Sequence, residues 1–293
     1  MALPMTPPIV TVLLPVYNGD RYLRVAVESI LQQTFGSFQL LIVDDGSTDG
    51  TEPICRSFTD PRIRVVRHEK NAGLVSALNS GIDLIRTKYV ARMDADDVAL
   101  PDRLARQIAF LESRPDIAAC GSWARELVDG RLRAVMFRPT GQYLRQTAWQ
   151  PVPIFHPTAC LRTEVLQELR YRPDFIHAED YDLWLRLCRH HRIDNVPKVL
   201  LHYRIHQTSV SHAYRALQRS NAWRAFREHF SEVDVPLEDF EALTGVSCEA
   251  SPFTRMRLKR PWRKQLFGTV TVSVRDDLWY AARWLWARVR GAR

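Results

Sequence analysis

No run in this 293-residue chain approaches the roughly 20 consecutive apolar residues needed to cross a bilayer. Cysteine is scarce and scattered: Cys55, Cys120, Cys160, Cys188 and Cys248 form no C-x-x-C pair. That argues against a disulfide framework and against a structural zinc site, and it suits a reducing compartment. The early apolar run Ile9–Pro15 is too short for a secretory signal core and lacks a basic lead-in, so a cytoplasmic protein is expected. There is no G-x-S-x-G elbow and no G-x-x-x-x-G-K-[ST] loop, so a serine nucleophile of that type and a P-loop are both excluded. Internal repeats and low-complexity tracts are absent as well.

What is present is an ordinary globular composition, 46% hydrophobic and 25% charged, in a chain long enough for one large α/β domain with a small appendage. The net charge of +8 is uneven: residues 255–293 carry +9 and residues 1–254 carry −1. The expected organisation is a main domain over 1–230, an acidic linker over 231–254 and a basic tail over 255–293. Asp276–Arg290 reads as an amphipathic helix, with Leu278, Ala282, Leu285 and Val289 on one stripe flanked by Trp279 and Trp286. It suits either an anionic membrane surface or packing on the main domain. Nucleic-acid binding through this tail is a third reading, which the acidic loops of the main domain oppose.

Strand and helix patterns alternate along the first 120 residues. Strands are predicted at Ile9–Leu14, Gln39–Val43, Ile63–Val66, Tyr89–Met93 and Ile117–Cys120. Helices are predicted at Arg21–Gln33, Leu74–Ile85 and from Pro101 to about Ser113. This order predicts a mostly parallel sheet with helices on both faces, whose ligands bind beyond the carboxyl ends of the strands. The second half, 121–230, predicts a hairpin over Glu126–Phe137, strands at Phe155–Arg162 and Val199–Ile205, and helices at Tyr181–His190 and Ala213–Phe230.

The chemistry-bearing residues fall at strand ends. Asp94-Ala95-Asp96-Asp97 places three carboxylates within four residues. Such a cluster suits a hard divalent ion, Mg²⁺ or Mn²⁺, or else is a solvated turn with a helix-capping Asp. Pro15-Val16-Tyr17-Asn18-Gly19 offers an aromatic and a glycine turn for a flat base. Asp44-Asp45-Gly46-Ser47 offers carboxylates to a base N–H or a ribose hydroxyl. Glu179-Asp180 precedes a helix; Asp180 is either a general base or a cap, and the helix dipole would hold it ionised and weaken it as a base. His206 is a candidate metal ligand, while Arg204 and His156 are candidates for acceptor or phosphate contacts.

Taken in order, Thr11–Asn18 (TVLLPVYN), Leu41–Asp49 (LIVDDGSTD), Asn71-Ala72-Gly73 with Ala77–Asn79, Met93–Asp97 (MDADD), Pro101–Leu104 (PDRL) and Glu179-Asp180 resemble the family 2 glycosyltransferases of GT-A fold. The resemblance covers roughly residues 8–210, with 8–120 as the nucleotide-binding half. It implies a GT-A, Rossmann-like α/β fold with a C-terminal helical extension, and transfer of a sugar from a UDP-sugar to an acceptor hydroxyl with inversion. It also implies that Tyr17 stacks on the base, with Pro15 and Asn18 beside it, and that Asp45 bonds that base, with Asp44 and Asn71 nearby. Asp94 and Ala95 would face the ribose or donor sugar, Asp96 would bind the metal, and Asp180, with Glu179 as neighbour, would deprotonate a glycan or lipid-linked acceptor. The Q-x-x-R-W motif of processive synthases is missing, which points to single-sugar transfer. A sugar-nucleotide nucleotidyltransferase is the enzymatic alternative, although Pro15–Arg24 lacks the Gly-rich basic loop such enzymes carry.

Overall fold

The computed structural model of the chain describes residues 7–141, 153–206 and 214–231, together with Leu237 and Phe240. The basic tail, nearly all of the acidic linker and Cys248 lie outside the described residues. Among those described, nine strands form one sheet in the order β3-β2-β1-β4-β8-β6-β9-β5, with β7 paired to β6.

The first half builds a parallel platform. β1 (Val10–Val16), β2 (Phe38–Asp44), β3 (Ile63–Arg67) and β4 (Tyr89–Arg92) run parallel. Between them lie α1 (Leu23–Leu31), α2 (Thr51–Ser57) and α3 (Leu74–Leu84). Side-chain alternation assigns the two faces. Val10, Val12 and Leu14 pack with Leu40 and Ile42 against Ala26, Val27 and Ile30 of α1, while Leu13, Leu41 and Val43 pack against Ala77, Leu78 and Ile82 of α3. Burial on both faces explains why these strands read as continuous apolar runs.

The second half is mixed. β5 (Val98–Ala99) and α4 (Arg103–Glu112) lead into β6 (Ile117–Val128), three times longer than the predicted Ile117–Cys120. β6 turns into β7 (Arg131–Met136) through Asp129 and Gly130, both with positive φ (49° and 74°), as the predicted hairpin requires. The expected strand Phe155–Arg162 is instead a 3-10 turn, His156–Thr158, followed by β8 (Cys160–Arg162). Pro157 cannot donate to a sheet ladder, so the chain turns before it pairs. β8 runs antiparallel to both β4 and β6, and β9 (Arg192–Ile205) runs parallel to β6.

Sequence reading missed α2, β5 and α5 (Thr163–Leu169), all short. α6 (Glu179–His190) is two residues longer than predicted at its start and buries two stripes rather than one. Leu183, Trp184 and Leu187 face the sheet, while Tyr181 and Leu185 meet Ala222, Ala225 and Phe226 of α7 (Arg215–His229). Asp182 of α6 is buried and paired with Arg186 and Arg172, and Arg172 also reaches Glu228 of α7. This network and the apolar contacts fix the helix that carries Glu179 and Asp180. Cys55, Cys120, Cys160 and Cys188 are free thiols, as the scattered cysteines predict. No helix among the described residues is long and apolar enough to cross a membrane.

Candidate active site

The carboxyl ends of β1, β2 and β4 converge. The loops after β1 and β2 are stitched by backbone-donated bonds. Asp45 N–H donates to the Val16 carbonyl (2.8 Å), Asn18 N–H to Ser47 Oγ (2.9 Å), Gly19 N–H to Thr51 Oγ1 (2.8 Å) and Thr48 N–H to Asn18 Oδ1 (2.9 Å). Asn18 adopts a positive φ of 50°, which Asn tolerates better than most residues. Tyr17 stands out from this frame, 48% exposed, while Pro15 beneath it is buried. Gly46 (φ 71°) lies against the backbone of Lys70 and Asn71; a Cβ there would meet Lys70 C at 2.5 Å, so only glycine lets the two loops approach.

Asp44 and Asp45 are both buried. Asp44 accepts the Ser47 N–H (2.9 Å) and pairs with Arg67 Nε (3.2 Å). Asp45 accepts the N–H groups of Ala72 (3.0 Å) and Gly73 (2.8 Å) and faces His68 Nδ1 at 2.7 Å. His68 Nε2 in turn lies 2.9 Å from Ser80 Oγ of α3. Asp45 therefore organises the loop that carries the exposed Asn71, whose Oδ1 also receives the Gly73 N–H (3.1 Å).

After β4, one oxygen each of Asp94, Asp96 and Asp97 lies within 4.8 Å of the others. Burial, then the charge of Asp94, raises the pKa of Asp96, and Asp97 is raised well above the carboxylate range by burial, Asp94 and Asp96. Asp97 is 1% exposed; one oxygen accepts the Arg204 N–H (2.8 Å) and the other has no partner. Three clustered carboxylates with an orphaned buried oxygen fit a hard divalent cation. His206 Nε2 lies 2.8 Å from Asp96 Oδ2, so the sequence-distant candidate does join the cluster. Arg204, expected on the acceptor side, instead bonds the Asp96 carbonyl (2.6 Å) and stacks 4.3 Å over the Tyr22 ring. It braces the acidic loop because β9 returns beside β5.

Glu179 and Asp180 open α6. The N-cap is Ala178, with no side-chain capping bond, so the capping alternative for Asp180 does not hold. Asp180 Oδ1 accepts the Tyr181 N–H at 2.7 Å. Burial raises the Asp180 pKa and outweighs the helix-terminal effect expected from sequence, which makes it a stronger base than the helix dipole alone would give. Glu179, 6% exposed, is pushed up to about 7 by burial and by Asp180. Its ordinary value is about 4.5, so the folded state holds this proton over a range where the unfolded chain has lost it. Stability from this group is full below about pH 4.5 and is lost as pH rises through about 7. Glu179→Gln is therefore expected to melt like the parent near pH 4.5 and at a higher temperature at pH 8. The difference should be at most about 3 kcal/mol, read by paired thermal melts; equal melting at pH 8 would contradict it.

Between the acidic loop and α6 lies Arg92, which sequence reasoning passed over. It is 4% exposed, its Nη2 pairs with Asp94 Oδ1 at 2.5 Å, and its Nε and Nη1 are buried without a protein partner. Its charge lowers the pKa of Glu179, Asp180 and Asp97, and the Asp94 charge acts on Asp180. Asp94 and Asp180 thus sense one another through one buried site. The available signal was a lone charge inside the apolar strand Tyr89-Val90-Ala91-Arg92-Met93. His156 is 7% exposed, with Nε2 2.7 Å from the Tyr171 hydroxyl and its ring edge-on to Trp184. Burial, then Arg92, lowers its pKa well below the imidazole range, so it supports the floor of the site as a neutral ring rather than offering a surface contact.

The model of the glycosyl transferase family 2 matches residues 11–170. An O-antigen biosynthesis glycosyltransferase of Escherichia coli, WbnJ, is 31% identical over 208 residues, 69% of this chain and 81% of that protein. Among solved structures, the mannosyltransferase PcManGT of Pyrobaculum calidifontis in complex with GDP-Man and Mn²⁺ superposes with a TM-score of 0.63 at 20% identity, covering 86% of this chain and 73% of that one. Residues 1–349 of S. aureus TarS in complex with UDP-GlcNAc give a TM-score of 0.62 at 19% identity, covering 87% of this chain and 77% of that one. The predicted GT-A architecture is therefore the observed one. With the family motifs in sequence order, the sheet that carries them at its carboxyl edge, and a family match over more than half its length, the chain belongs to glycosyl transferase family 2.

Proposed function

We propose that this glycosyltransferase moves one sugar from a nucleoside diphosphate sugar, a UDP-sugar, to an acceptor hydroxyl with inversion at the anomeric carbon. The observation that carries the reading is the convergence of the Asp94–Asp97 cluster and the Glu179–Asp180 pair on the buried Arg92. Family membership displaces the nucleotidyltransferase alternative.

The geometry supports the following roles. Tyr17, exposed at the strand end, stacks on the base. Asp45 fixes the Asn71–Gly73 loop and faces His68, which leaves one lone pair on Oδ2 for a base N–H. Asp94, held by Arg92, receives a donor-sugar hydroxyl, with Ala95 leaving room beside it. Asp96, with His206 adjacent, would hold a Mg²⁺ or Mn²⁺ ion, which when bound offsets the charge of the diphosphate. The Mn²⁺ and nucleotide-sugar complexes of the two structural neighbours support this reading.

Asp180 takes the proton of the acceptor hydroxyl. The acceptor oxygen bonds to the anomeric carbon as the opposite carbon–oxygen bond to the diphosphate breaks. No covalent sugar–enzyme intermediate forms. Arg92 holds the base side and the donor side in one electrostatic frame, so positioning and preorganised charge supply most of the rate. The O-antigen relative supports a glycan or lipid-linked acceptor in bacterial surface polysaccharide or glycolipid synthesis.

The test is a panel of UDP- and GDP-sugars incubated with Mn²⁺ and a panel of alkyl glycoside acceptors. Release of nucleoside diphosphate, together with a product of opposite anomeric configuration by NMR, is expected. Pyrophosphate release or retention of configuration would overturn the reading.

A further inference from the structure

The segment that delivers the Glu179–Asp180 pair is built with more care than a connecting loop needs. A 3-10 turn at Pro173–Phe175 buries Phe175 against α6 and α7, and Asn221 Nδ2 of α7 pins the Ile176 carbonyl at 2.9 Å. His177 then adopts a positive φ of 65°, a conformation that costs a non-glycine residue of order 1 kcal/mol. It is held from two sides. Its backbone N–H is turned toward the Glu179 carboxylate and favours its ionised form. Its ring stacks on Tyr214, with centroids 4.4 Å apart and planes 20° apart.

The outcome is an aromatic pair facing solvent. Tyr214 and Ile176 are each 51% exposed and Leu217 is 45% exposed, an apolar surface that contributes nothing to the core. His177 and Asp180 are three positions apart, so the chain holds their Cα atoms within about 11 Å of one another. Burial lowers the His177 pKa, so at neutral pH its ring is an uncharged, flat, hydrogen-bonding group and not an anion receptor.

We propose that His177 and Tyr214, flanked by Ile176, form the acceptor subsite and bind the pyranose ring whose hydroxyl Asp180 deprotonates. This rests on the transferase reading given above. A pyranose has an apolar C–H face that packs on an aromatic ring and a rim of hydroxyls that a phenol and an imidazole can bond. The strained backbone of His177 ties the platform to the carboxylate pair, so docking a ring there places a hydroxyl at the base.

Octyl β-glycosides of glucose, galactose, mannose and N-acetylglucosamine, offered to the full chain with saturating UDP and Mn²⁺, serve as probes by saturation-transfer NMR. At least one is expected to receive saturation on its ring protons. Tyr214→Phe should retain this, and Tyr214→Ala should weaken it about tenfold. UDP affinity by calorimetry should be the same in all three proteins, since Tyr214 is exposed and lies off the donor loops. No saturation on any glycoside, or full saturation in Tyr214→Ala, overturns the subsite. Failure of the parent to bind UDP would sink the transferase reading instead, so the two failures are distinguishable.

Discussion

Asp180→Asn is expected to lower the turnover of sugar transfer by about 10²–10⁴-fold while leaving the affinity for nucleoside diphosphate unchanged. The substitution is nearly isosteric, and the Asn carbonyl oxygen can still accept the Tyr181 N–H that Asp180 receives at 2.7 Å. The α6 terminus therefore keeps its shape, and Ala178 remains the N-cap. What is lost is the proton acceptor. Burial raises the Asp180 pKa, which strengthens it as a base, while the Tyr181 N–H and the Arg92 charge oppose that rise. Initial rates under saturating donor and acceptor, with UDP affinity measured beside them, separate the two effects. A variant that keeps more than about a tenth of parental turnover would remove Asp180 from the role of base.

Asp96→Asn is the second large effect. Among the three clustered carboxylates, Asp97 is buried and receives the Arg204 N–H, and Asp94 is engaged by Arg92. Asp94 and Asp96 are similarly exposed, and Asp96 is the one whose side chain faces a histidine, His206 Nε2 at 2.8 Å, rather than a guanidinium. Replacing its charge with an amide removes the anionic oxygen on which a divalent ion would depend. The apparent affinity for Mn²⁺ in the transfer assay is expected to weaken by at least about a hundredfold, with turnover at fixed low Mn²⁺ falling in step. Mn²⁺ titrations of activity and of UDP binding provide the check. Full activity of the parent after exhaustive chelation, or an unchanged Mn²⁺ curve in the variant, would show that Asp96 holds no required ion.

How much of this was legible along the chain depends on the range of the interaction concerned. The βα order was legible because side-chain periodicity is local: Val10 to Val16 announces a strand buried on both faces whatever follows it. Tyr17, Asp44, Asp45 and Asp94–Asp97 were legible because a parallel strand delivers its last residues to one edge of the sheet. Glu179-Asp180 was found through its motif, while the length and double-sided burial of its helix were not, because α7 supplies the second face from more than thirty residues downstream. The 3-10 turn at His156–Thr158 was misread as strand because it lies between the apolar Ile154-Phe155 and Ala159–Leu161, although Pro157 cannot donate to a ladder.

The sequence by itself pointed to the family, the platform and the candidate carboxylates, since each motif is a contiguous stretch of chain. Tertiary structure alone decided that His206 meets Asp96, that Arg204 braces the acidic loop, and that Arg92 stands between that loop and the Glu179–Asp180 pair. The reason is physical. Burial and Coulomb interaction depend on distance through space, and the chain brings β4, β9 and the start of α6 together only when the sheet closes.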